Sequence, residues 1–124
     1  MIRIILSIAV LLVAQLAAAN DISGFWKHAD EPGWIEIRLD DGKGTVVRND
    51  KFPERAGREI LKGLAVGDVK KEVWRGQIYV EKLGEYKDAE ITLANPDQMN
   101  IKVKVGFMSR TLEWQRVENV PAAP

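Results

Sequence analysis

Apolar and polar residues alternate along most of the chain beyond residue 33, with a period of two. Ile35, Ile37 and Leu39 fall on one face and Trp34, Glu36 and Arg38 on the other, which is the pattern of a strand set between a core and water. The pattern returns at Ala89, Ile91 and Leu93 against Asp88, Glu90 and Thr92. It returns again at Met99, Ile101, Val103 and Val105 against Asn100, Lys102 and Lys104. Less regular strand-like runs occupy 22–28, 44–48, 69–74, 77–81 and 108–117. Turn chemistry lies between the runs. Asp40-Asp41-Gly42 supplies a positive-φ hairpin turn, Arg75-Gly76 and Leu83-Gly84 punctuate the middle, and Asn95-Pro96-Asp97 pairs a fixed φ with side chains that bond back to the backbone. Residues 49–67 break the rhythm. Phe52-Pro53-Glu54 opens a segment whose Ile60, Leu61 and Leu64 fit one side of a short helix or an irregular strand, and the pattern predicts a loop with about one helical turn.

This spacing predicts about eight or nine strands, all antiparallel, with no long helix and no βαβ interval. An open sheet of that many strands leaves edges that invite aggregation, and closure removes them. The expected fold is therefore all-β, a small up-and-down barrel over residues 20–117 with a disordered tail over 118–124. Residues 1–19 have a different logic. Met1-Ile2-Arg3 starts positive, Ile4–Leu16 is an apolar run broken by Ser7 and Gln15, and Ala17-Ala18-Ala19 fits the small-residue cleavage rule. That run is shorter than the roughly 20 residues that span a bilayer, so the segment reads as a secretory signal peptide cut after Ala19. The expected product is periplasmic or secreted, with no membrane span after cleavage.

Composition then narrows the chemistry. The chain has 18 basic and 18 acidic residues, one His and no Cys in 124 residues. Balanced charge disfavours nucleic acid as a partner, and the missing cysteines exclude disulfides, a thiol nucleophile and Cys-ligated zinc. Removing residues 1–19 lowers the apolar share from 46% to about two-fifths and leaves a net charge of about −1. No nucleophile, base and orienter can be assembled. His28 is a candidate general base standing alone, and Asp40, Asp41, Asn49 and Asp50 could meet across a hairpin as a calcium site but lack the spacing of a calcium loop. Neither a metal nor a cofactor is expected. Lys70-Lys71 and Lys102 with Lys104 read as solvated sheet faces.

The aromatic residues carry more. Four Trp residues, all beyond residue 19, are many for such a domain. Trp34 shares its face with Glu36 and Arg38, so it is expected outside the barrel or at a mouth, open to a partner.

Two ends of the chain bring in a resemblance. Gly24-Phe25-Trp26 resembles the Gly-x-Trp signature that opens the first strand of lipocalins and other calycins. The ending Arg110-Thr111-Leu112-Glu113-Trp114-Gln115-Arg116-Val117 resembles their closing strand, whose Arg packs over the early Trp. The resemblance implies Arg110 in that role, with Arg116 second, and places Trp26 and Trp114 in the structure. The whole mature chain is also similar to a family of small secreted bacterial proteins catalogued as a domain of unknown function. That similarity runs through Gly42-Lys43-Gly44, Pro53 with Gly57, Leu61-Lys62-Gly63-Leu64, Trp74-Arg75-Gly76-Gln77-Ile78-Tyr79 and Tyr86 with Asp88-Ala89. It implies a calycin-like fold and no established activity. Many members carry cysteines that this chain lacks.

Two functions are expected from this, neither of them enzymatic, with an enzyme left open as a third reading because small barrels do host catalysis. One is an exported lipocalin-like barrel that takes a small apolar or amphipathic ligand at its open end, with Trp34, Trp74, Tyr79, Tyr86 and Phe107 around it. The other is an envelope interaction or inhibitor module that meets a protein partner through Trp34 and the 50–67 segment.

Overall fold

Where the turn residues sit decides where each strand stops. The computed structural model describes residues 21–122; the expected signal peptide and the last two residues of the tail lie outside the described residues. Eight strands follow in chain order: β1 (Gly24–His28), β2 (Gly33–Arg38), β3 (Lys43–Asn49), β4 (Glu59–Asp68), β5 (Val73–Val80), β6 (Glu85–Asn95), β7 (Gln98–Val105) and β8 (Met108–Val117). A single 3-10 turn, Pro53–Arg55, lies between β3 and β4. Each strand pairs antiparallel with the next and β8 pairs with β1, so the sheet closes into an up-and-down barrel. The Asp40-Asp41-Gly42 turn forms as expected, with Gly42 at φ 66° donating its N–H to Leu39 O.

Two expectations about strands are corrected. Residues 69–74 and 77–81 are not two strands: 69–72 is a turn, and Val73–Val80 is one strand running straight through Arg75-Gly76. Gly76 is no punctuation mark. A Cβ there would stand 2.8 Å from Leu64 Cδ2 and 2.8 Å from Lys62 O, so the neighbouring strand occupies the space a side chain needs. The second correction concerns 49–67, where the helical turn is present but the stretch from Glu59 onward is the ten-residue strand β4. Its alternation is hidden because the register with β5 shifts between Lys62 and Ala65, and Gly63 sits at φ 61°. The extra residue lets Leu61 and Leu64, three apart, both face the core.

Inward-facing residues form one buried cluster. Trp26, Trp74 and Trp114 share it with Ile35, Ile37, Leu61, Ile78, Ile91, Met99 and Ile101 among others. An eight-stranded barrel has an interior that side chains alone can fill, and here three indoles fill much of it. Trp114 Nε1 is buried without a hydrogen-bond acceptor among the described residues. Such a donor costs about 1–3 kcal/mol, set against the apolar area its ring buries.

The end bearing the β2–β3, β4–β5 and β6–β7 turns is closed by Arg116. It lies opposite Trp26 in the β1–β8 register, with its guanidinium carbon 4.4 Å from the indole centroid. Its three nitrogens donate to Pro96 O at 2.8 Å, Ser23 O at 2.8 Å and Asp21 O at 2.6 Å, while Trp26 Nε1 donates to Ile22 O at 3.0 Å. Arg110, the first expectation for this role, is exposed and pairs with Val103. It lies six residues up β8, about 20 Å away at the strand rise.

Two pairs of variants check this account by urea unfolding. Arg116→Met should cost about 2–4 kcal/mol because three carbonyls lose a charged donor and Trp26 loses its cover, and Arg110→Ala should stay within about 0.5 kcal/mol. Gly76→Ala should cost about 1–3 kcal/mol by overpacking against Leu64 and backbone. Gly67→Ala, whose new Cβ meets only the exposed side chain of Arg75, should cost less.

Candidate functional site

The five aromatic residues nominated as ligand contacts do not come together. Trp74 is 6% exposed and belongs to the core. Tyr79 and Tyr86 lie opposite each other on the outer wall of β5 and β6, edge to face at 5.3 Å. Arg58 covers Tyr79 and the Lys62 ammonium lies 3.9 Å from the Tyr86 centroid, while Tyr86 Oη donates to Glu59 O at 2.7 Å. That pair staples β4 to the next two strands. Phe107 stands alone at the tip of the β7–β8 hairpin, fully exposed.

Trp34 is on the outer wall, as its face predicted, but it is not open to a partner. It is only 8% exposed and lies outside the core cluster. Arg48 lies over the ring at 4.7 Å and Lys27 at 5.5 Å. The ammonium of Lys27 is held by His28 O at 2.9 Å. Two cations and their alkyl stems thus cover the indole, with their charged ends held by protein oxygens.

The other candidates resolve into local structure. His28 Nδ1 accepts the backbone N–H groups of Asp30 at 3.0 Å and Glu31 at 3.1 Å, and its ring meets Trp114 edge-on at 4.9 Å. It closes the β1–β2 turn. The calcium candidates sit at opposite ends of the β2–β3 hairpin, because Arg38 pairs with Lys43 at one end and Gly33 with Asn49 at the other. Asp40 Oδ1 accepts the Asp41 N–H, Asn49 Oδ1 accepts the Phe52 N–H at 2.7 Å, and Asp50 pairs with Arg48. Among the described residues no cluster of three or more metal-ligating side chains occurs.

What the sequence did not reveal is Arg48. Counting back from the Arg38–Lys43 pair, an unbroken hairpin would set Trp34 opposite Val47. The register instead shifts between Trp34 and Ile35, Ile35 pairs with Val46, and Trp34 faces Arg48. One bulged residue therefore carries the guanidinium onto the indole. From there Arg48 Nε and Nη2 grip Asp50 Oδ1 at 2.7 Å and Oδ2 at 3.0 Å, a two-pronged ion pair, and Nη1 donates to Pro121 O at 2.9 Å and Ala122 O at 3.0 Å. The tail was expected to be unstructured. Residues 118–122 form no strand, yet Arg48 binds two of their consecutive carbonyls.

This contact sits in a cleft of about 650 Å³ lined by Val47, Arg48, Asn49, Asp50, Pro53, Ala56 and Val120, Pro121 and Ala122. Its walls are mostly apolar, and its polar content is the Arg48–Asp50 pair and Asn49. The loop that carries Pro53 and Ala56 is tied to β3 by backbone bonds from Val46 N to Arg58 O at 2.9 Å and from Gly57 N to Val46 O at 2.8 Å. Arg55 stacks on Phe52 at 3.8 Å and, with Arg58, pairs with Glu81 at the β5–β6 turn. A second depression of about 340 Å³ over β5–β7 has charges of both signs, with Arg75 and Lys102 beside Glu90. Within the cleft Arg48 Nη1 holds two consecutive carbonyls of an extended chain beside apolar walls, and Asp50 is its one carboxylate. No family model, curated protein or solved structure matches the chain.

Removing the cover over Trp34 should be visible in its emission. Arg48→Ala is expected to red-shift tryptophan fluorescence and raise acrylamide quenching by about one indole's share, because Trp34 loses the larger of its two lids. The change should vanish in a Trp34→Phe background, which assigns it to this ring.

Proposed function

We propose that the protein is an exported, non-enzymatic interaction module that holds an extended segment of a partner protein in the outer-wall cleft. One observation carries this: Arg48 Nη1 donates to two consecutive peptide carbonyls, Pro121 O and Ala122 O, while its other edge is locked on Asp50. A donor already fixed by a carboxylate and by stacking on Trp34 loses little freedom on binding, which favours affinity. The chain's own tail is then a resident stand-in for the partner segment, displaced when that segment arrives.

The barrel interior is a poorer place for a ligand, since three Trp side chains and the aliphatic residues around them take up the space. Kinship with the calycin-like secreted family is supported by the Trp26–Arg116 plug, and export rests on the segment 1–19. A second reading has one observation in its favour. At about 650 Å³ and with mostly apolar walls, the cleft has the size of pockets that take a small amphipathic molecule, which run from about 300 to 1,000 Å³.

A chain ending at Val117 separates the two readings. Adding the peptide Glu118–Ala122 in trans should shift the NMR signals of Val47–Asp50 and the Trp34 indole, with a Kd of about 1 mM, which corresponds to about 4 kcal/mol. Arg48→Ala should abolish the shifts. If the peptide leaves these signals unmoved while a small amphipathic compound moves them, the small-molecule reading replaces the peptide one.

A further inference from the structure

The β7–β8 hairpin has an apolar tip that the fold does not use. Val105 pairs with Met108, so Gly106 and Phe107 make a two-residue turn with Gly106 at φ 63°. The second place in such a turn ordinarily holds a short polar residue that favours the bend. Here it holds a phenyl group with full solvent exposure, next to Met108 at 66%. Turn chemistry does not call for Phe107, and no packing does.

The charges on the hairpin itself have one sign. From Gln98 to Leu112 the hairpin contains Lys102, Lys104 and Arg110 and not one Asp or Glu. Lys104 lies opposite Ser109 on the outer face, while Arg110 lies opposite Val103 on the other, so the cations flank the tip from both sides. None of the three takes part in an ion pair among the described residues. On β6 the register sets Glu90 opposite Lys102 and Asp88 level with Lys104 on the outer wall, and along β8 the nearest acidic loop is that of Asp30 and Glu31. Ala29 bonds Glu113 O, five residues back from Met108 and so about 17 Å from it at the strand rise. At the same end of the barrel the β5–β6 turn adds exposed Leu83 and Lys82, while Glu81 is taken up by Arg55 and Arg58 and Glu85 by Lys87.

An aromatic and a thioether standing clear of the wall, with Lys104 and Arg110 on either face of the hairpin behind them, match a bilayer surface. The apolar groups enter the acyl boundary and the cations meet anionic headgroups. We propose that the β7–β8 hairpin is a peripheral docking element that inserts Phe107 and Met108 into an anionic lipid surface. The contact stays at the tip, because farther back along β6 and β7 the outer wall has Asp88 and Glu90 opposite Lys102, whose charges hydrocarbon does not accept. It leaves the Arg48 cleft free, since the cleft's walls are built from β3, the 3-10 turn and the tail.

The lack of cysteine permits a direct test. Ser109→Cys labelled with an environment-sensitive fluorophore places a reporter beside the tip, separate from any effect of residues 1–19. With vesicles of mixed phosphatidylglycerol and phosphatidylethanolamine the emission should shift to the blue and intensify, the effect should fall with added salt, and phosphatidylcholine vesicles should leave it unchanged. Adding Phe107→Glu should weaken partitioning by about tenfold or more, and neutralising Lys104 or Arg110 by about fivefold each. These positions are exposed, so thermal unfolding should not move. No blue shift on anionic vesicles overturns the proposal. So does a shift that grows with protein concentration without vesicles, since it would assign the tip to self-association along Met108–Leu112, the stretch of β8 that β1 does not reach.

Discussion

The guanidinium of Arg116 ties together the three pieces of chain that meet at the closed end of the barrel. It holds the segment before β1 through Asp21 O and Ser23 O, the β6–β7 turn through Pro96 O, and its own strand by covalent connection, all while lying on Trp26. β1 is the shortest strand, Gly24–His28, and it must bridge β2 and β8 for the sheet to close. Five residues of ladder are a thin seam. A planar cation with donors on three nitrogens fixes that seam at its end, and no point charge could reach all three carbonyls in one plane. Because closure removes the edges of the sheet, the rest of the fold depends on this seam holding.

Closure has a consequence for function. Eight strands enclose a space that Trp26, Trp74 and Trp114 and their aliphatic neighbours occupy, so the proposed binding is placed on the wall and the rim. There the same physical device recurs, a cation laid over an aromatic ring. Arg48 and Lys27 cover Trp34, Lys62 covers Tyr86, and Arg55 covers Phe52. Most exposed-face aromatics are thereby sealed as structure. Phe107 has no such cover, and it is the one placed at a tip.

How far the sequence could be followed depended on whether alternation was continuous. β2, β6 and β7 were legible because their apolar residues keep strict period two against a filled interior. β4 was not, since the bulge at Gly63 shifts Leu64 by one residue and turns a strand pattern into one that imitates a helix. Arg48 was missed for a related reason: one extra residue in β3 exchanges it for Val47 opposite Trp34. A bulge leaves no compositional mark beyond, at times, a glycine. The choice of Arg110 over Arg116 failed because both have inward parity on β8, and only the length of β1 tells which one lies level with Trp26.

By itself the sequence determined that the chain is an antiparallel all-β barrel, where the β2–β3, β5–β6 and β6–β7 hairpins turn, and which faces of its regular strands are buried. These follow from period-two burial and turn chemistry, which are properties of neighbours in the chain. The tertiary structure decided which aromatics are covered, which arginine closes the barrel, and that the tail returns to Arg48. Arg48 and Pro121 are 73 residues apart. Contacts over such distances depend on the accumulated register of every strand between, and a one-residue slip in any of them reassigns the partners.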